Sequence, residues 1–369
     1  MIGQSVSGFA AVSFGLSSSE EIKMKEIIIN GRAVGRDHPP YLIAEACINH
    51  EGDIRIAKEM VFHARAAGVD AIKFQLHVLD DEMLREAPQS ANFEEPLYDT
   101  LERTNLSVAE HQELKELCER IGIDYMCTPF SAASADLLES KIGVEVYKVG
   151  SGECTNHPLQ RHIAAKGKPM ISSTGMTELA EVDETVAVLK AHAAGGFALT
   201  HCVSAYPCPY DRVNLGVIPL YEERYGVPIG LSDHSVGIYT SLGAVALGAC
   251  IIEKHFSLDR TLPGPDHKSS IEPNELRELA RGCRAVWEAR GAARQIFPEE
   301  KEIVAWARES VVSIVDIAQG SVITKNMVSV KRPSPAEGVV PAKNLEDVIG
   351  KTAGVDIQAN RQIRWDTLK

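Results

Sequence analysis

Nothing in this 369-residue chain is long and apolar enough to cross a bilayer. Its hydrophobic runs are about strand length, well short of the roughly 20 residues a membrane helix requires. Nor does it carry an excess of positive charge. Thirty-eight Lys and Arg stand against 51 Asp and Glu, a formal net charge of −13, which argues against nucleic acid or an anionic membrane surface as partner. An anionic small substrate would need a local cluster of Lys and Arg set against that field. No CxxC pair occurs among the eight cysteines at 47, 118, 127, 154, 202, 208, 250 and 283. Several lie inside apolar strand-like runs, and they read as buried free thiols of a reducing, cytoplasmic compartment with no redox role. Residues 1–23 are rich in Ser and Gly and lack the basic segment of a secretory signal. They are expected to be a disordered extension, with order beginning at Met24.

What is present is a regular alternation. Eight strand-like runs begin at about residues 41, 70, 123, 145, 168, 196, 228 and 249 (YLIAEAC, DAIKFQ, IDYMCTP, EVYKVGS, KPMISST, GFALTHC, PIGLSDH and ACIIEKHF). Most are nearly continuous apolar runs, as parallel strands covered on both faces should be. Amphipathic helical segments lie between them, several ending in Gly, and PNELRELARGCRAVWEARG follows the eighth. Eight such units predict an α/β fold of the TIM (β/α)8-barrel type. A doubly wound open sheet is the alternative, but no GxGxxG follows the first run. The barrel is expected over 24–291 and a charged linker over 292–307. Short β runs with Gly and Asn turns then predict a small β-rich domain over 308–369.

The active site of such a barrel lies at the C-terminal ends of its strands. The polar residues there are Glu45, Asn49 and His50; Lys73 and Gln75; Thr128; Lys148, Ser151 and Glu153; Ser172, Ser173 and Thr174; His201 and Tyr206; Asp233 and His234; and Glu253, Lys254 and His255. His234 and His255 end adjacent strands, so one divalent cation could bridge them with positions left open for catalysis. Equally, both could hydrogen-bond loop carbonyls. Lys73 and Lys148 alternate with apolar residues inside strands, and a buried Lys requires an anionic partner. That partner is either a carboxylate, Glu45 or Glu153, or an anionic ligand. The turns Ser151–Gly152 and Ser173–Thr174–Gly175, each just before a helix, favour a phosphorylated ligand.

The runs AEACINHEGD, AIKFQ, CTPFS, YKVGSGE, ISSTGM, HCVSAYP, GLSDHS, EKHF and DRTLPGPDH, with VKRP in the tail, closely resemble those of the sialic-acid (N-acetylneuraminate) synthases, in family order from about residue 40 to 369. The same group includes legionaminic and pseudaminic acid synthases and a spore-coat polysaccharide protein. The resemblance implies a TIM barrel followed by an antifreeze-like (SAF-type) domain. It also implies condensation of phosphoenolpyruvate with the open-chain aldehyde of N-acetylmannosamine or a related amino sugar. Carried onto this sequence, phosphoenolpyruvate contacts fall on Lys73, Thr128, Lys148, Ser151 and Ser173. Sugar contacts fall on Gln75, Asn92, Tyr206, Asp266 and Arg332, with Glu45 as general base or proton relay. The cation on His234 and His255 is expected to be Mn²⁺, with Mg²⁺ or Co²⁺ as alternatives. The resemblance further implies a homodimer in which the small domain of one subunit caps the barrel mouth of the other. Ser204 and Trp306 depart from residues that others of the group carry near the sugar, and PGPDHKSSIEP is unlike the pseudaminic type. Rival readings are a legionaminic acid synthase acting on a 2,4-diacetamido sugar, a spore-coat polysaccharide synthase, and a non-catalytic carbohydrate- or ice-binding protein.

Overall fold

The computed structural model describes residues 25–86 and 95–369. The expectations for residues 1–23 and for Asn92 lie outside the described residues. The chain separates into two compact units, Met1–Arg290 and Gly291–Lys369. Among the described residues no helix is long and apolar enough to cross a membrane.

The first unit opens with a hairpin, β1 (Glu26–Ile29) and β2 (Arg32–Gly35), paired Ile29 to Arg32. Asn30 and Gly31 make its two-residue turn with left-handed φ of 47° and 75°, the conformation an Asn-Gly pair favours. Eight parallel strands follow: β3 (Tyr41–Glu45), β4 (Ala71–Leu76), β5 (Asp124–Pro129), β6 (Tyr147–Val149), β7 (Met170–Ser173), β8 (Phe197–Cys202), β9 (Ile229–Asp233) and β10 (Ile251–His255). Each pairs with the next, and β10 closes onto β3, making a closed barrel. Seven of the strands fall inside runs read from the sequence, and β4 extends one residue past its run, to Leu76.

Alternation along the strands sorts the side chains into two cores. Leu42, Ala44, Ile72, Cys127, Leu199, Leu231 and Ile252 face outward, against helices such as Ile54–Ala67, Val108–Ile121 and Pro273–Ala289. Tyr41, Ile43, Ala71, Met126, Val146, Ile171, Ala198 and Ile251 face inward and pack with Ile27, Ile29 and Val34 of the hairpin. The hairpin therefore completes the apolar layer near the N-terminal ends of the strands. Two residues further along the same inward faces the character changes: Glu45, Lys73, Thr128, Lys148, Ser173, Thr200 and Glu253 are all buried. This polar layer stands on the apolar one because side chains repeat every second residue along a strand.

The second unit holds a short helix, Lys301–Ala307, inside the stretch read as a linker. Its strands β11 (Ser310–Ser313) and β12 (Val328–Lys331) are antiparallel, and isolated bridges extend the pairing. Val311, Ile317, Ile323, Val340, Val348, Ile357 and Ile363 form its own small core.

Candidate active site

A cavity of about 530 Å³ opens above the polar layer, within the size range of small-molecule sites. Its walls bring together Glu45, Lys73, Gln75, Thr128, Lys148, Ser151, Ser173, Tyr206, His234, His255 and Asp266. Arg332 belongs to the second unit, where its Nε donates to the Ala307 carbonyl and its guanidinium lies over Trp306.

The buried charges form one network. Lys73 Nζ is 2.5 Å from Glu45 Oε2 and 3.8 Å from Glu253 Oε2, and Lys148 Nζ is 3.7 Å from that same Glu253 oxygen. Lys73 also donates to Thr128 Oγ1 at 3.0 Å, and Lys148 to Ser173 Oγ at 2.5 Å. Ser232 Oγ donates to the other Glu253 oxygen at 2.9 Å. Glu45 is thus a partner of Lys73, as one reading of the sequence had it. The carboxylate facing Lys148 is Glu253, and Glu153 pairs with neither lysine, because Lys148 reaches across the barrel from β6 to the inward face of β10.

Burial sets the protonation balance. It pushes Glu45 up to about 7, with Lys73 pulling down and Glu253 pushing up. Glu253 is equally buried, yet Lys148 and Lys73 together hold its carboxyl below the usual range. Burial works against the charge of Lys73 too, but Glu253 and Glu45 outweigh it and raise the ammonium. Glu253 therefore carries the negative charge, and Glu45 is the carboxyl that exchanges a proton near neutrality. With Glu45 protonated, two lysines face one carboxylate, which leaves the floor of the cavity short of one anion.

One wall is a cradle of hydroxyls. The Gly175 amide donates to Ser151 Oγ at 3.1 Å. A Cβ on Gly175 would stand 2.4 Å from Ser204 Oγ and 2.6 Å from Ser151 Oγ. Only glycine lets the backbone approach both hydroxyls so closely.

The cavity wall also carries the two imidazoles. The rings of His234 and His255 lie edge to face with centroids 5.2 Å apart, and Tyr206 packs against both. Nδ1 of His234 bonds the Val203 carbonyl at 2.9 Å. The carbonyl reading thus holds for that atom, which fixes the ring and is also how metal-binding imidazoles are oriented. Nδ1 of His255 is buried without a hydrogen-bond partner among the described residues. Burial and the neighbouring His234 hold His255 well below the ordinary imidazole range, so it is neutral and has a lone pair to offer. This donor set fits a divalent cation.

Other polar residues read at the strand ends serve the scaffold. Asp233 and Lys254 point outward from β9 and β10 and pair at 3.1 Å, fully buried, with Thr240 and Ser241 completing the carboxylate. His201 bonds the Val213 carbonyl, Asn49 donates to Phe256 and Ser270, and Thr174 donates to the Thr200 carbonyl. Reading the sequence passed over Cys47, Ser232 and the buried pair His77–Glu82, all on the cavity wall. Cys47 had a signal: it lies two residues past Glu45, in phase with the inward face.

A closed barrel with a buried ionic network and converging imidazoles at its strand ends defines an enzyme of the (β/α)8 class. Comparison with known proteins narrows this. Residues 60–295 match the model of the NeuB family, and residues 308–369 match that of the SAF domain. The N,N'-diacetyllegionaminic acid synthase of Legionella pneumophila is 34% identical, over 92% of this chain and 98% of its own. The human N-acetylneuraminate-9-phosphate synthase is also 34% identical, over 90% of this chain and 94% of its own. Among solved structures, the N-acetylneuraminic acid (sialic acid) synthetase of Leptospira borgpetersenii in complex with citrate superposes with a TM-score of 0.69 at 33% identity. That match covers 76% of this chain and 95% of the other. The chain belongs to the NeuB family and carries a C-terminal SAF domain.

Proposed function

We propose that this enzyme condenses phosphoenolpyruvate with the open-chain aldehyde of N-acetylmannosamine, or a closely related 2-acetamido sugar, and water. The products are a nine-carbon 2-keto acid, N-acetylneuraminate in the first case, and inorganic phosphate. The observation that carries the reading is the paired lysine floor. Lys73 and Lys148 sit buried in a strongly acidic protein, share the charge of Glu253, and face a cradle of hydroxyls.

In this reading Lys73, Lys148, Thr128, Ser151 and Ser173 hold the phosphate and carboxylate of phosphoenolpyruvate, with charge-assisted bonds from the two ammonium groups. Gln75, Tyr206 and Asp266 face the sugar, joined by Asn92 and by Arg332. A divalent cation bound at His234 and His255 would polarise the aldehyde oxygen; Mn²⁺ is our first choice. C3 of phosphoenolpyruvate forms the new bond to the aldehyde carbon, and the aldehyde oxygen takes up a proton. Water adds at C2, and its proton passes to Glu45, whose carboxyl exchanges protons near neutral pH. The C2–O bond to phosphate then breaks, so the keto oxygen comes from water.

A second reading has the same chemistry with a 2,4-diacetamido sugar. It draws on the equal identity to the Legionella legionaminic acid synthase and the human N-acetylneuraminate-9-phosphate synthase. Phosphate release from phosphoenolpyruvate should be measured with N-acetylmannosamine, its 6-phosphate and the diacetamido sugar. Release with the first and not the third supports the primary reading, and the reverse supports the second. No release with any of them would remove the function altogether.

A further inference from the structure

Cys47 stands just past the end of β3 with a φ of +48°. Glycine adopts that left-handed region freely, whereas a residue with a side chain is strained there. The place is buried, and its side chain reaches the cavity wall. A donor atom from each of Cys47, His255 and Asp266 lies within 4.8 Å of the other two. The sulfur of Cys47 and a carboxylate oxygen of Asp266 thus stand close enough to turn to one cation. Gln75 Nε2 donates to the same sulfur at 3.0 Å, the kind of outer contact that a ligating thiolate receives. His255 Nδ1 is buried with no partner among the described residues. Three different donors thus converge on one place in the cavity wall.

We propose that Cys47, His255 and Asp266 hold the divalent cation of the barrel mouth through a mixed sulfur, nitrogen and oxygen donor set. A sulfur donor shifts the preference from the Mn²⁺ of a site of two imidazoles alone to a thiophilic ion such as Zn²⁺, Co²⁺ or Fe²⁺, and away from Mg²⁺. The proposal rests on the metal-bearing reading of the mouth given above and deepens it. Thiolate favours softer ions, whereas Mg²⁺ requires oxygen ligands in near-octahedral array. Three protein donors leave positions open for substrate, as a catalytic site needs, and His234 stands beside them as a further imidazole. Binding displaces the thiol proton to solvent, so each ion taken up at Cys47 releases one proton.

The test uses the full-length protein, stripped by chelation and reloaded with Co²⁺ alone. The wild type should show a near-ultraviolet thiolate-to-cobalt charge-transfer band. Cys47→Ser should lose the band, while Cys202→Ser, which alters the thiol beside His234, should keep it. Zn²⁺ affinity of Cys47→Ser should fall by at least the order of 10–100-fold that loss of an outer-sphere partner alone produces. Cys47→Gly removes the sulfur and relaxes the backbone, so it provides a folded control should the serine variant misfold. X-ray absorption on the Zn²⁺-loaded wild type should find one sulfur at about 2.3 Å. A wild type with only nitrogen and oxygen neighbours, or a band that survives in Cys47→Gly, overturns the proposal whatever the activity. A band with no phosphate release from any sugar would instead leave the metal site standing and sink the proposed reaction.

Discussion

Single residues in this mouth can be assigned by what each one lacks. Lys148 is buried, and its carboxylate, Glu253, is 3.7 Å away and shared with Lys73. Lys148→Ala should raise the phosphoenolpyruvate KM by roughly 10- to 100-fold, the equivalent of the about 1.5–3 kcal/mol of a bond to a charged group. Saturation kinetics unchanged in that variant would take Lys148 out of the substrate site. Gly175 answers a steric question. The two nearest atoms a Cβ would strike are serine hydroxyls, which can rotate away, and the third, Ser151 Cβ at 3.0 Å, need give by only a few tenths of an ångström. Gly175→Ala should therefore fold with near-normal stability and yet bind phosphoenolpyruvate poorly, because Ser151 and Ser204 are turned out of the cradle. A Tm lowered in step with the activity would mean the residue serves the fold instead. Glu153 is half-buried, its Oε2 has no hydrogen-bond partner among the described residues, and burial pushes its carboxyl up to about 7. Its folded-state pKa lies above that of the unfolded chain, so the native state binds the extra proton. Stability is then favoured below the ordinary carboxylate range and is lost as pH rises through about 7. Glu153→Gln should stabilise the protein at pH 8 by about 1–2 kcal/mol relative to its effect at pH 4, the full linkage value being reduced by partial exposure. Denaturant midpoints at the two pH values check this, and equal effects at both would contradict it.

At the level of elements, register along the strands converts a string of letters into a site. The eight barrel strands were legible because strands covered on both faces read as continuous apolar runs. The same continuity hides which residues face inward. Asp233 and Lys254 were grouped with His234, Glu253 and His255, although strand parity turns the first two outward, where they pair with each other. The inward set could have been found by stepping in twos from Ile251 and Gly230. The β1–β2 hairpin was read only as the onset of order; its Asn30–Gly31 pair was the available signal. Stepping in twos past Glu45 would have placed Cys47 at the mouth, but its meeting with Asp266 depends on how the loop after β10 returns there. Parity also makes a prediction. Gly230 sits opposite Ile251, and a Cβ there would stand 2.5 Å from the Ile251 carbonyl oxygen, a backbone atom that cannot swing aside. Gly230→Ala should cost about 1–3 kcal/mol by overpacking. It should also disturb His234 and His255, which end the two strands it forces apart. Loss of stability with an intact Co²⁺ spectrum would show that the imidazoles are positioned by their loops rather than by this register.

On the scale of the whole molecule, the chain consists of two units, and one proposed sugar contact, Arg332, lies on the smaller. A domain of roughly 60 residues buries only about 60% of the surface its unfolded chain exposes, and it gains by packing on something larger. Resemblance to the sialic-acid synthases motivates the proposal that it packs on the barrel of a second subunit, where Arg332 reaches the acetamido end of the sugar. Mixed dimers decide the matter. Arg332→Ala and His234→Ala should each be nearly inactive as homodimers, for one lacks the sugar contact and the other a donor at the mouth. If the small domain is exchanged, a mixed dimer holds one mouth with both defects and one with neither. About half of the wild-type activity per mixed dimer should then return, because an isologous pair has two equivalent sites. If each small domain serves its own barrel, both mouths of the mixed dimer stay defective and no activity returns. Verified mixed dimers without recovery, or a monomer of full activity in solution, would rule the exchange out and leave Arg332 a surface residue beside Trp306.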